Sequence, residues 1–389
     1  MKKIPVKIPA CAIFAIWMFV FFAAAGFSEE VLVESFGYYL DIPEGWGLVD
    51  AADPAMISFA DADKRTVFQV TVFQGKNFAS ARAAAAFYKA QIKAEGDEAD
   101  FVYQGKDAVI GDYSFTPGKF AARGWFVFIS TGTYHFVLSA FCEASRFEAS
   151  GDVLLSCVDS FAPDEDSRLY PGPVSQFYQT FPPERSGAAR LSFNGETFSL
   201  PSAENEAEAN TVVIEREARI LTSVVGSKIQ DAAWQRYYRV IFRDSYMRLL
   251  PLAQKLKPLL DKTAKAAGAP AALLSWFQGF SYFRAGGVAD FQSPLECVLD
   301  SAGDCDSLGM AYIILLRQLG FDAILLVSEK YNHALAAVDV PGEGARFDFE
   351  GKRYLIAELT DKVAIGLIGK GMADPAFWLP VALGHPVKD

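Results

Sequence analysis

Three observations predict an α+β chain with more than one domain. Short runs in the first half alternate apolar and polar residues at a period of two, residues 209–265 carry apolar residues at helical spacing, and residues 303–360 read as a helix followed by strands. At 389 residues the chain is longer than one ordinary core requires. With 51% hydrophobic and 14% aromatic residues, global disorder is excluded. The expected parts are a leader over 1–28, a first α/β domain over 29–165, a linker and hairpin over 166–215, and a helical segment plus a second α+β domain over 216–389, with its core at 270–368.

Lys2, Lys3 and Lys7 precede an uncharged apolar run from Ile8 to Gly26, which ends in small residues before Ser28. That order reads as a secretory signal peptide and predicts a periplasmic or secreted protein. The alternative is an uncleaved anchor over residues 8–28 with the rest facing the periplasm, and a membrane contact is expected only in that case. Removing residues 1–28 deletes three lysines and no acids, taking the net charge from −11 to −14. So acidic a chain is a poor nucleic-acid binder. Of the remaining cysteines, Cys142 and Cys157 flank one helical segment, where a bridge or two buried thiols are equally compatible with the spacing. No CxxC motif is present and only His135, His333 and His385 occur, which gives no zinc-ligand pattern.

In the first half, residues 31–41 run to a turn at Pro43-Glu-Gly-Trp46. Strand-like segments follow at Met56–Phe59, Thr66–Phe73, Asp100–Tyr103, Ala108–Phe115, Trp125–Ser130 and Tyr134–Phe141. An alanine-rich helix is expected over Ser80–Glu95, with Phe87, Tyr88 and Ile92 on one side, and a second over Glu143–Ser160. His135 lies in an apolar strand and reads as a structural histidine. This order, with Tyr39-Leu-Asp-Ile-Pro-Glu-Gly-Trp46 near its start and Cys157-Val-Asp-Ser-Phe161 closing it, resembles the PsbP-like fold over about residues 33–162. The resemblance implies a non-catalytic module that binds a protein partner.

Pro163 and Pro171-Gly-Pro mark a boundary near 163–175. Arg190–Leu200 reads as a hairpin turning on Asn194-Gly195. Helical periodicity then runs from Ala209 to Lys265 and is expected to break at Pro251 and Pro258. Tyr237, Tyr238, Ile241, Tyr246 and Leu249 form a packing face with no chemistry assigned.

The functional signal lies further on. Gly303-Asp304-Cys305-Asp306-Ser307 opens an apolar helix with Leu308, Tyr312, Leu315 and Leu319 on one stripe. Asp304 or Gly303 can cap it, leaving Cys305 in the first turn, where the helix dipole favours thiolate. His333, at the mouth of a strand after a turn over Ser328–Asn332, is the candidate base. If the strand containing Arg353–Thr360 pairs antiparallel with His333–Val340, and Val340 meets Arg353, Glu358 falls within two residues of His333 and can orient the ring, with Asp361 the runner-up. Acyl transfer also needs an oxyanion donor; Gln278 fits that role, although composition alone favours a polar surface residue there.

Trp276-Phe-Gln278-Gly-Phe-Ser-Tyr282, Ser293-Pro-Leu-Glu296, Gly303-Asp-Cys305-Asp306, His333-Ala334 and Tyr354-Leu-Ile-Ala-Glu358-Leu-Thr360 together resemble the transglutaminase-like superfamily of papain-related cysteine enzymes. The resemblance implies Cys305 as nucleophile, His333 as base, Glu358 as orienting acid and Gln278 as oxyanion donor. Glu358 and Ser307 stand where many members carry aspartate and a further acid. Some relatives bind calcium beside the cysteine, which would here involve Asp304 and Asp306; no other cofactor is expected. The expected activity is cysteine-dependent acyl transfer on a protein or peptide of the bacterial envelope, as protease or amidase or, with an amine acceptor, as transglutaminase. The rival is an inactive scaffold that uses its PsbP-like half to bind a partner.

Overall fold

The computed structural model describes residues 30–263 and 268–384. The leader and its lysines, the last residues of the expected 209–265 helix and His385 lie outside them. Among the described residues no helix is long and apolar enough to cross a membrane. The chain is α+β and divides into two compact units, the division along the chain falling between Phe161 and Ala162, with Gly37–Tyr39 counted in the second unit.

The first unit is built on a seven-stranded antiparallel sheet. Its strands are β1 (Gly47–Asp53), β2 (Met56–Ala60), β3 (Thr66–Gln74), β4 (Glu95–Tyr103), β5 (Lys106–Phe115), β6 (Ala122–Ser130) and β7 (Tyr134–Glu143). They lie in the order β1-β2-β3-β7-β6-β5-β4. Helix α1 (Ala81–Ile92) is capped by Ser80, whose hydroxyl accepts from the Ala83 N–H. Its Ala81, Ala84, Ala85 and Tyr88 recur at helical spacing and pack on Val109, Phe126, Phe128 and Val137 of one sheet face. Phe136 points to the opposite face and meets Phe161, just beyond α2 (Phe147–Asp159).

Two strands differ from the sequence reading. β1 is absent from it because Asp50-Ala-Ala-Asp53 lacks alternation, and β4 begins five residues early, through Glu95-Gly-Asp-Glu-Ala99. Both are edge strands, where charged residues are tolerated because one side faces no partner. His135 is structural: its Nε2 lies 3.0 Å from the Gly75 carbonyl and its Nδ1 2.6 Å from the Ser130 hydroxyl. Cys142 and Cys157 are both buried and no disulfide joins them.

The second unit begins with a short helix, α3 (Pro173–Tyr178), and a hairpin of β8 (Gly187–Phe193) and β9 (Glu196–Ser202). Asn194 and Gly195 both have positive φ at its turn, as a tight hairpin requires. α4 (Glu206–Thr222) and α5 (Gln230–Thr263) follow. The expected break at the prolines does not occur. The chain turns instead between 223 and 229, where Gly226 adopts φ 78°, and α5 runs through Pro251 and Pro258. Burial of Leu249, Leu252, Leu256 and Leu260 outweighs the backbone hydrogen bonds those prolines remove.

Helices α6 (Gly268–Phe277) and α7 (Pro294–Asp300) precede α8 (Cys305–Gln318), which is buried from Ser307 to Arg317. The sheet of this unit contains β10 (Ala323–Ser328), β11 (His333–Val338), β12 (Arg346–Phe349), β13 (Lys352–Ala357) and β14 (Leu379–Val381), ordered β12-β13-β11-β10-β14 and antiparallel throughout. Leu325, Val327, Ala334, Ala336 and Val338 face α8, while Ile324, Leu326, Leu335 and Ala337 pack on Phe347, Tyr354 and Trp378 across the sheet.

Leu315, fully buried in α8, tests this packing. Leu315→Ala is expected to destabilise the protein by about 2–5 kcal/mol. Val225→Ala, at a position 61% exposed, is expected to change stability by under about 0.5 kcal/mol. Urea denaturation of both variants checks the contrast, and comparable losses would contradict it.

Candidate active site

The first turn of α8 sets the site. Asp304 is the N-cap: its Oδ1 accepts from the Ser307 N–H at 2.9 Å and the Ser307 hydroxyl at 2.7 Å. The same hydroxyl accepts from the Gln292 N–H at 3.0 Å, tying the preceding loop to the helix start. A side chain at position 303 would come within 2.9 Å of Cys297 Sγ, so glycine alone allows the close approach ahead of Cys305. Ser281–Tyr282 pairs in parallel with Ala302–Gly303, which brings the loop carrying Arg284 and Asp290 to the same place. Glu215 holds that loop by accepting from the Val288 and Ala289 N–H groups.

Cys305 is 5% exposed. It opens onto a cavity of about 500 Å³ whose walls include Asp306, His333, Trp234, Arg284 and Trp378. His333 starts β11 opposite Ser328, after Asn332 turns the chain at positive φ. β13 pairs with β11 through Ala336↔Ala357, Ala337↔Ile356 and Val338↔Leu355, the register that sets Val340 opposite Arg353. Glu358 then follows β13 with its Oε2 2.8 Å from His333 Nε2. Its Oε1 accepts from both the N–H and the hydroxyl of Thr360. Asp361 is exposed.

Burial raises the Glu358 carboxyl, but the His333 bond and charge and the Thr360 donors outweigh it, so it titrates below the ordinary glutamate range. An ionised Glu358 accepts only, so Nε2 carries the hydrogen and Nδ1 is the nitrogen left to take a proton. Trp378, edge-on to the imidazole at 6.3 Å between centroids, donates its own N–H to the Met372 carbonyl.

Two expectations are corrected. Gln278 does not line the thiol cavity. Its Nε2 donates to the carbonyls of Glu358 at 2.8 Å and Val363 at 2.9 Å, and it borders a separate cavity with Gly279 and Val363. Both amide hydrogens are thereby taken, and the residue braces the loop that carries Glu358 in place of serving an oxyanion. The second correction concerns the thiol. Burial, then the charges of Asp306 and Asp304, push Cys305 well above the ordinary cysteine range, against a smaller opposing effect of the Ala334 N–H. The helix-dipole effect, at most about 2 kcal/mol, is overridden.

Asp306 also has a partner that the sequence did not assign. Its Oδ2 accepts from the Tyr238 hydroxyl at 2.9 Å, and Cys305 Sγ lies 3.6 Å from its Oδ1. Burial and the neighbouring Asp304 push this carboxyl up to about 6. Tyr238 lies far away in sequence on α5, inside a helical face with no distinguishing mark, so no local signal identified it. The two acids do not fit a calcium site. Asp304 is committed to Ser307 and Asp306 to Tyr238, and among the described residues no group of three His, Cys, Asp or Glu is placed to hold a metal.

No family model and no curated protein matches the chain. Among solved structures, cyanobacterial PsbP (CyanoP) from Synechocystis sp. PCC 6803 is similar at 14% identity and a TM-score of 0.30, over 37% of this chain and 97% of that one. A protein from Bacteroides thetaiotaomicron VPI-5482 is similar at 11% identity and 0.24, over 81% and 84% of the two chains. LpqN of Mycobacterium tuberculosis, involved in cell envelope biogenesis, is similar at 14% identity and 0.24, over 34% and 88%. At these TM-scores the likenesses carry no argument about activity.

The Glu358 pairing sets a pH signature. A carboxyl whose folded pKa is lowered adds stability above its unfolded value, near 4.3, and loses it as the pH falls through the lower folded value. Glu358→Gln is therefore expected to be less stable than wild type at neutral pH, with the gap closing below about pH 4. Denaturation midpoints across pH check this, and a gap independent of pH would contradict it.

Proposed function

We propose that this protein is a transglutaminase-like cysteine acyl-transfer enzyme that hydrolyses a peptide or amide bond in an envelope protein, with Cys305 as nucleophile, His333 as base and Glu358 as orienting acid. One observation carries the reading. A histidine fixed through Nε2 by an ionised carboxylate shares a cavity wall with a cysteine at a helix N-terminus. Export by the leader puts the reaction in the periplasm or outside the cell, and the PsbP-like first unit serves as the module that binds a partner.

His333 Nδ1 takes the thiol proton, and the sulfur lone pair attacks the carbonyl carbon while the C=O pair moves to oxygen. The N-terminus of α8 faces the developing negative charge with its backbone N–H groups. Collapse breaks the C–N bond, and the amine leaves with the proton held by His333. Water then attacks the thioester and gives a proton to His333. The C–S bond breaks and the thiol is restored. An amine in place of water would cross-link two proteins by the same steps.

One observation favours a second reading, the inactive scaffold: burial and two carboxylates raise the resting thiol where catalysis needs a thiolate. Incubation with envelope protein extract separates the two. Wild type is expected to process defined proteins, Cys305→Ala to leave them intact, and His333→Ala to lower the rate by about 10²–10⁴-fold. Equal processing by wild type and Cys305→Ala, or none by either, would leave the scaffold reading.

A further inference from the structure

The Cys305 thiol lies against one carboxylate and shares a cavity with one imidazole. Sγ lies 3.6 Å from Asp306 Oδ1 in donor geometry, and His333 borders the same cavity. Acyl transfer does not require a carboxylate beside the sulfur, and Coulomb repulsion makes it oppose the thiolate. Yet Asp306 is held with care. Its other oxygen accepts from Tyr238, a residue 1% exposed whose ring stacks on Trp234 at 5.7 Å between centroids. Helix α5 thus fixes one carboxylate oxygen and leaves the other against the thiol.

We infer that Asp306, aimed by Tyr238, is a further catalytic residue: it holds the thiol proton in the resting enzyme and sets the pH range over which Cys305 yields that proton to His333. The inference rests on the proposed reading of Cys305 as nucleophile and His333 as base. In the resting state the S–H bond is intact and directed at Asp306 Oδ1. On activation that bond breaks, the proton passes to His333 Nδ1, and the electron pair stays on sulfur. A charged Asp306 opposes the thiolate and favours the imidazolium; its direct contact is with the sulfur, so the first effect leads.

The groups that face Asp306 are Asp304 and Cys305 on its own helix, Tyr237 and Tyr238 on α5, and His333 on β11; Arg284, on the loop before α7, offsets the charge of Asp304. Asp306 titrates at about 6, so it is neutral in mild acid and charged at neutral pH. Its opposition to the thiolate therefore switches on as pH rises.

The test is the rate of Cys305 alkylation by iodoacetamide between about pH 5 and pH 8.5, read by peptide mass on the full chain. Wild type, Asp306→Asn, Tyr238→Phe and His333→Ala are compared. The ratio of the Asn variant to wild type is expected to lie near one at about pH 5 and to climb to about tenfold at pH 8, one unit of thiol pKa. Tyr238→Phe removes a donor that stabilises the charged carboxylate, so the onset of suppression is expected to move to higher pH. A ratio flat at one, with His333→Ala slowed, overturns the role of Asp306 and leaves the cysteine-histidine pair standing. His333→Ala indistinguishable from wild type overturns that pair and this inference with it. If circular dichroism shows the Asn variant unfolded, the Tyr238→Phe profile decides, and an unshifted onset overturns the inference.

Discussion

Helix α8 is apolar on every side, yet its first turn carries four consecutive polar residues, Asp304 to Ser307. Burying Leu308 to Leu316 between α5, α6, α7 and the sheet draws the polar end of the helix into the protein as well. A buried helix start must satisfy its free N–H groups, and Asp304 does so for the N–H of Ser307. The remaining two residues of that turn, Cys305 and Asp306, are left at the wall of the cavity. The position of the thiol is thus a consequence of packing, and its chemistry follows from what the packing brings beside it.

What it brings is an electrostatic conflict. A dry setting with Asp304 and Asp306 nearby disfavours a thiolate, whereas an imidazole fixed by Glu358 favours it. On the proposed reading the conflict is functional: a charged Asp306 holds the thiol proton against transfer to His333. Glu358 is kept ionised by Thr360 and His333 together, and Gln278 steadies the loop behind it by binding the Glu358 and Val363 carbonyls.

Where local rules dominate, the residues alone revealed the arrangement. Asn194-Gly195 made a hairpin, Tyr88 and Ile92 lie on the packed side of α1, and the register assumed for β11 and β13 is the one that brings Glu358 to His333. The unread parts depend on distant packing. Pro251 should end a helix by its own chemistry, but the leucines around it are buried on the same core and carry α5 through. Gln278 has the amide an oxyanion needs, but two backbone carbonyls reach it first. Tyr238 resembles its neighbour Tyr237 in sequence, yet it is the Tyr238 hydroxyl that meets Asp306. The helix dipole argued for a thiolate, and only the burial of the site reveals that this effect is the smaller one.

On the proposed reading Cys305 carries an acyl group during turnover. A stopped-flow measurement with an activated nitrophenyl ester tests it most directly. A burst of one nitrophenolate per chain is expected, with the acyl mass found on the peptide containing Cys305 and the burst absent in Cys305→Ala. No burst, or a burst of the same size in Cys305→Ala, would contradict it.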